Sequence, residues 1–243
     1  MFGRGFIEAA RAPFQDPNWL RKFSLGGLLS LLSQLALGLM IADQVPKVLL
    51  PVIMIFALIL MFVVWGYLFR IFVDSLNGLE RKMLPDWQDW KGYATAGFWL
   101  FLVMLGYVLI AAIGLWGLLS VLGVLPFDGR QEQVAKLLII IMATCAFLYG
   151  FFPIVFARFA AEGRIWSCFD PAAIWGDIRT VVGGDYIRSC LSFYGFSIVG
   201  NLVLVGLPYI GLPLVSIYLF YLMAVFSLIF GSLIGVTTQK TNL

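Results

Sequence analysis

Residues 48–69 read VLLPVIMIFALILMFVVWGYLF, 22 positions without one charged side chain. The hydrocarbon core of a bilayer is about 30 Å thick, and a helix that rises about 1.5 Å per residue needs about 20 mostly apolar residues to cross it. This stretch therefore reads as a membrane span. Five others share its character: Ser24 to Ala42, Tyr93 to Leu125, Leu137 to Ala157, Ser189 to Leu207 and Leu212 to Val236, all free of Asp, Glu, Lys and Arg. The third, at 33 residues, exceeds a simple span, and its glycines at 97, 106, 114, 117 and 123 leave room for tilt or a break. Only GLPYIGLP, Gly206 to Pro213, separates the fifth from the sixth, so these two are expected to form a tight hairpin. The expected fold is an all-α integral membrane protein, one polytopic domain over residues 1–243 with six transmembrane helices.

Composition agrees. Of 243 residues, 62% are hydrophobic and 12% charged, against about 45–50% and about 25% in ordinary soluble domains. A net charge of +3 gives no strongly basic surface of the kind that binds nucleic acid. Histidine is absent, which excludes imidazole general bases, His-ligated metals and every Ser/His or Cys/His nucleophile. Cys145, Cys168 and Cys190 are odd in number and widely spaced, and they read as apolar filler rather than a disulfide framework or a thiolate site. No Walker A pattern, GxSxG elbow or HExxH occurs. The first apolar stretch begins after 23 residues and lacks a small-x-small cleavage site, so it is expected to stay in the mature chain.

Orientation follows from Lys and Arg, because short positively charged loops remain in the cytoplasm. Thirteen of the 16 basic residues fall in the N-terminal segment, the second and fourth connections and the tail, and three, Lys47, Arg130 and Lys136, fall on the other side. Both termini are thus expected in the cytoplasm of a bacterial cell, with the chain in the inner membrane. In residues 1–23, Phe6, Ile7, Ala10 and Phe14 recur at helical spacing between Arg4, Glu8 and Arg11, as in a helix lying in the interface plane and ended by Pro13 and Pro17. Six of the eight tryptophans, at 19, 65, 87, 90, 166 and 175, are expected in or close to this inner layer, since Trp prefers the headgroup level.

The two long inner connections resemble each other at an offset of 88 residues: Arg70 aligns with Arg158, Asp74 with Glu162, Trp87 with Trp175 and Asp89 with Asp177. This suggests a parallel internal repeat in which a helix descends, an amphipathic segment lies in plane and a helix returns. Those eight residues are the candidate interface or structural positions, and Arg70/Asp74 and Arg158/Glu162 are i, i+4 pairs. Asp86 and Asp89 are the one acidic pair with cation-binding potential, but two carboxylates amid Lys82 and Lys91 make a poor cage. Gln34, Thr144 and Asn201 are the polar residues at depth, expected to bond between helices. Gly231 and Gly235 form a GxxxG whose expected role is packing inside the monomer.

Three stretches, PFQDPNWLRKFSLGGLLSLL, LPDWQDWKGYATAG and the run from FPIVFARFAAEG through GGDYIRSCLSF, resemble the family called domain of unknown function 4013, multi-pass proteins of bacteria and archaea. The most specific piece is Leu84 to Trp90, LPDWQDW, where Gln88 replaces a common acidic residue. The resemblance implies a membrane fold and no activity, cofactor or catalytic residue. With uncharged spans and no catalytic constellation, the expectation is a non-catalytic accessory, assembly or scaffold subunit without cofactors, contacting lipid and other membrane proteins. The alternative is a transporter or channel for a small solute or lipid, suggested by the repeat and by Pro153, Pro208 and Pro213 in the late helices.

Overall fold

The computed structural model describes residues 8–41, 46–78, 84–121, 144, 149–205 and 211–241, and every regular element among them is helical. The elements are α1 (Trp19–Ile41), α2 (Leu50–Leu76), α3 (Trp90–Val121), α4 (149–162), α5 (Pro171–Val181), α6 (Gly184–Val205) and α7 (Gly211–Thr241). Single 3-10 turns precede α1 at Ala12–Gln15 and α5 at Trp166–Phe169. Pro51 lies in the first turn of α2, where its missing N–H loses no helix bond. The described α-helix before residue 12 stops at Arg11, ahead of Pro13, which is buried in the 3-10 turn that follows.

Among the described residues, four helices are long and apolar enough to cross a membrane: α2, α3, α6 over Gly184–Leu204 and α7 over Leu214–Thr237. They carry the second, third, fifth and sixth expected spans. The first expected span lies on α1, which begins with Arg21 and Lys22 and whose side chains at 37, 40 and 41 lie outside the described residues. Most of the fourth, residues 137–143 and 145–148, also lies outside them, and α4 carries its last part, 149–157. So do Phe6, Ile7, Cys145, Arg130, Lys136 and the linker at 206–210. Gly123 lies outside the described residues, over which the third span is one unbroken helix of 32 residues, Trp90–Val121. At about 1.5 Å per residue it is about 48 Å long, more than the hydrocarbon core requires.

Helix α7 occupies the centre. Buried side chains make up 61% of its most apolar window, against 11% for α3 and for α6. It packs against α1, α2, α5 and α6, while α2 joins it to α1 and α3. A helix apolar on all sides belongs inside a bundle, and helices buried along one strip leave the rest to lipid. Phe220, Phe226 and Phe230 of α7 supply rings to two of the three apolar clusters, and Leu100, Val103, Val155, Phe159 and Cys168 form the third between α3, α4 and the 3-10 turn.

Glycine sets the closest approaches. A Cβ on Gly66 would lie 1.8 Å from the Tyr93 carbonyl oxygen, and one on Gly97 would lie 1.9 Å from that of Phe62. The α2–α3 contact is therefore backbone against backbone. The GxxxG of α7 works the same way inside the monomer, since Cβ atoms on Gly231 and Gly235 would meet the carbonyl oxygens of Phe72 and Leu76 at 2.5 and 2.3 Å. Both α2 and α4 stop at a glycine in the left-handed region, Gly78 (φ 66°) and Gly163 (φ 65°), where other residues are strained.

Gly66→Val is expected to force α2 and α3 apart, and overpacking of this kind costs about 1–3 kcal/mol or more. Gly114→Ala, where a Cβ meets nothing within 4 Å, is expected to leave stability unchanged or raise it by up to about 1 kcal/mol. Thermal melting of the two purified variants in one detergent checks both.

Candidate functional site at the charged end of the bundle

The described charged side chains gather at one end of the helices, and among the described residues only Lys47 belongs to the other. Two polar knots organise this end.

The first begins with a turn. The Asp16 carboxylate accepts from the Asn18 N–H at 2.7 Å, which fixes the chain just before α1. Its other oxygen accepts from the Leu84 N–H at 2.8 Å and from Lys22 Nζ at 2.9 Å. Asp16 is 1% exposed and the Lys22 side chain 9%. The ammonium also reaches Asp86 Oδ1 at 3.0 Å and donates to the Leu84 carbonyl. Burial pushes the Asp16 carboxyl up, but the hydrogen bonds from Lys22, Asn18 and Leu84 outweigh it and hold the group below its ordinary value. For Lys22, burial acts downward, and the bonds to Asp16 and Asp86 win and raise it.

The LPDWQDW segment is locked onto this knot. Tyr67 donates to the Pro85 carbonyl at 2.9 Å, Tyr93 to that of Asp86 at 2.7 Å, and Trp87 Nε1 to that of Lys22 at 3.2 Å. Trp87 stacks on Tyr67 with centroids 3.9 Å apart and planes 2° from parallel. Asp89 caps α3 through the Gly92 N–H at 2.9 Å. The acidic pair is thus divided, Asp86 toward Lys22 and Asp89 toward a helix end. Among the described residues no three of Cys, Asp or Glu come together as a metal site would require.

The second knot centres on Arg158. Its Nε donates to the Ser167 carbonyl at 3.0 Å, Nη1 to Asp177 at 2.8 Å, and Nη2 pairs with Glu162 at 2.7 Å. Asp170 positions Asp177 by capping α5, accepting from the N–H groups of Ala172 and Ala173 at 3.0 and 3.3 Å ahead of Pro171. On α5, Ile174 and Val181 are buried, Trp175 is 56% exposed, and the Arg179 guanidinium lies 5.3 Å from the Trp175 ring centroid. Arg70 pairs with Asp74 at 3.2 Å.

The structure places the eight candidates in three groups: Trp87 and Asp89 at the first knot, Arg158, Glu162, Asp177 and Trp175 at the second, and Arg70 with Asp74 between helix turns. The ion pairs at the ends of α2 and α4 match across the expected repeat. The later positions differ, since Trp87 is stacked while Trp175 is exposed, and Asp89 caps a helix while Asp177 binds an arginine. Trp65, placed by sequence in or close to the inner layer, packs on Phe101 of α3. Gln34 accepts from Ser216 across α1 and α7 at 3.0 Å, as expected, but Asn201 donates to Ser197 in its own helix. The sequence reading missed Asp16 and Lys22. The signal was there: a lysine inside the first helical turns, six residues after Asp-Pro.

Two cavities open beside these knots. A polar one of about 550 Å³ lies among α2, α4, α5 and α7 and includes Asn77, Arg158, Glu162, Asp177 and Thr180. An apolar one of about 210 Å³ is lined by Trp65, Phe72, Leu100, Phe152, Phe156 and Phe226 among others, with Ser227 at its edge.

Among the described residues these features define an all-helical membrane-type protein with four helices suited to a membrane and an internally bonded charged end. The chain belongs to the family described as Protein of unknown function (DUF4013), which matches residues 49–209, from the start of α2 to just past α6. The matched region includes LPDWQDW, whereas Asp16 and Lys22 lie before it. No curated protein and no solved structure matches the chain.

Asp16→Asn is expected to destabilise the protein by about 3–5 kcal/mol at neutral pH, the usual effect of removing one partner of a buried pair. Because folding lowers the Asp16 pKa, its contribution is full above the ordinary value of 3.8 and is lost as pH falls through the folded value. Stability in detergent should fall below about pH 4 in the wild type, and more shallowly in the variant.

Proposed function

We propose that this is a bacterial inner-membrane protein with six membrane-crossing helices and cytoplasmic termini, which acts as a non-catalytic accessory or assembly subunit. Its charged end is a layer that contacts lipid and other membrane proteins. One observation carries the reading. Two largely buried cations, Lys22 and Arg158, are bonded within the protein, while Trp166 and Trp175 of the same end are 85% and 56% exposed. Bound charges and outward aromatic side chains suit a rigid contact surface, since Trp dominates the energetics of interfaces. Arg70, Arg158, Asp86 and Asp89 fall into separate bonds, which gives no shared point where a substrate would meet them. A second reading, passage of a small solute or lipid, draws on the 550 Å³ cavity.

Placing a photo-crosslinking residue at Trp175 is expected to yield one adduct of defined mass in native membranes, lost when Trp166→Ala is added to a protein that melts normally. Adducts only with lipid would remove the accessory-subunit reading, and reconstituted vesicles without flux would remove the second. Orientation is checked with single cysteines in a cysteine-free background. Lys47→Cys should react with an impermeant maleimide in spheroplasts, and Arg179→Cys only after lysis.

A further inference from the structure

The polar and apolar cavities are stacked on the same helices. On α2 the apolar cavity ends at Phe72 and the polar one begins at Val73; on α4 the two overlap by a turn, with Phe152 and Phe156 lining the first and Ile154, Ala157 and Arg158 the second. Both helices run toward the charged end, where Arg70 and Asp74 close α2 and Arg158 and Glu162 close α4. Helix α7 runs the same way, since its Gly235 meets Leu76, and it contributes Phe226 to the apolar cavity and Ile234 to the polar one. The boundary is a pair of edge-on rings, Phe72 and Phe156, with centroids 6.2 Å apart. A polar compartment at a helix end and an apolar one deeper along the same helices have the division of an amphiphile. The larger lies within the roughly 300–1,000 Å³ of small-molecule sites.

Charge selects among amphiphiles. Among the described residues, the ionised groups lining the polar cavity are Arg158, Glu162 and Asp177, one positive and two negative. The guanidinium already donates to Ser167, Asp177 and Glu162 from all three of its nitrogens. The carboxylates keep open acceptor positions, the Glu162 side chain being 41% exposed and that of Asp177 35%. An anionic headgroup would meet carboxylate oxygens, whereas an ammonium would donate to them. Thr180 Oγ1 donates to the Gly176 carbonyl, so toward a ligand it accepts. Asn77 offers amide donors to a phosphate.

We infer that these cavities bind one aminophospholipid, its ammonium at Glu162 and Asp177 and an acyl chain past Phe72 and Phe156 in the apolar compartment. The lipid comes from the bilayer itself, because a soluble ammonium compound would leave the apolar compartment unfilled. The site lies between helices, so it does not depend on what contacts Trp166 and Trp175.

The test uses the full chain, reconstituted in equal phosphatidylethanolamine and phosphatidylglycerol, extracted in detergent and examined by native mass spectrometry. The expected result is one retained phosphatidylethanolamine per chain, preferred over phosphatidylglycerol roughly tenfold, the discrimination of one charge-assisted contact. Glu162→Gln removes the surplus negative charge while Asp177 still pairs with Arg158, and it should abolish the preference. Ala161→Phe, which narrows the polar cavity, should abolish retention; where that variant does not fold, the preference lost in Glu162→Gln decides. Equal retention of both lipids, a preference unchanged in Glu162→Gln, or displacement of the lipid by glycerophosphoethanolamine alone would overturn the inference.

Discussion

A buried ammonium is stable only among acceptors, and the position of Lys22 imposes that condition on three parts of the chain at once. Its partners come from the turn before α1, through Asp16, and from the segment before α3, through Leu84 and Asp86. Removing water from two charges costs several kcal/mol per ion, so such a pair persists only with good geometry and further hydrogen bonds. Here the further bonds are the N–H groups of Asn18 and Leu84. Once Leu84 is held, Tyr67 and Tyr93 take the next two carbonyls, and Trp87 has one place to stack. The knot thereby fixes where α3 begins relative to α2.

Deeper in the bundle, contact of a different kind takes over. Lipid tails are as apolar as leucine, so burial alone does not draw membrane helices together, and close packing has to. Gly66 against Tyr93, Gly97 against Phe62, and Gly231 and Gly235 against Phe72 and Leu76 bring backbones to within the width of a methyl group. These contacts align α2 with both α3 and α7, and the cavities lie where α4 approaches the same pair with larger side chains, Phe152 and Phe156.

The helices were legible because length and lack of charge suffice to recognise them. LPDWQDW was legible as a special segment, and what it does was not. Trp87 and Trp175 hold equivalent positions in the sequence pattern, but one has a buried tyrosine beneath it and the other faces outward, a difference made by α2 and invisible in the segment itself. Lys22 and Arg21 look alike from sequence, two charges at the edge of an apolar run. Only the fold shows that one of them is buried. The cavities were illegible for the same reason, as their walls come from helices far apart in the chain.

The central position of α7 bears on how the protein is made. Chains are synthesised from the N-terminus, so α1 to α6 reach the membrane before the helix that four of them pack against. Until it arrives, Phe72, Tyr186 and Phe193, three of the side chains in its apolar cluster, have lipid or each other as neighbours. The early helices therefore wait on α7, and packing among the described helices is complete only once it has inserted.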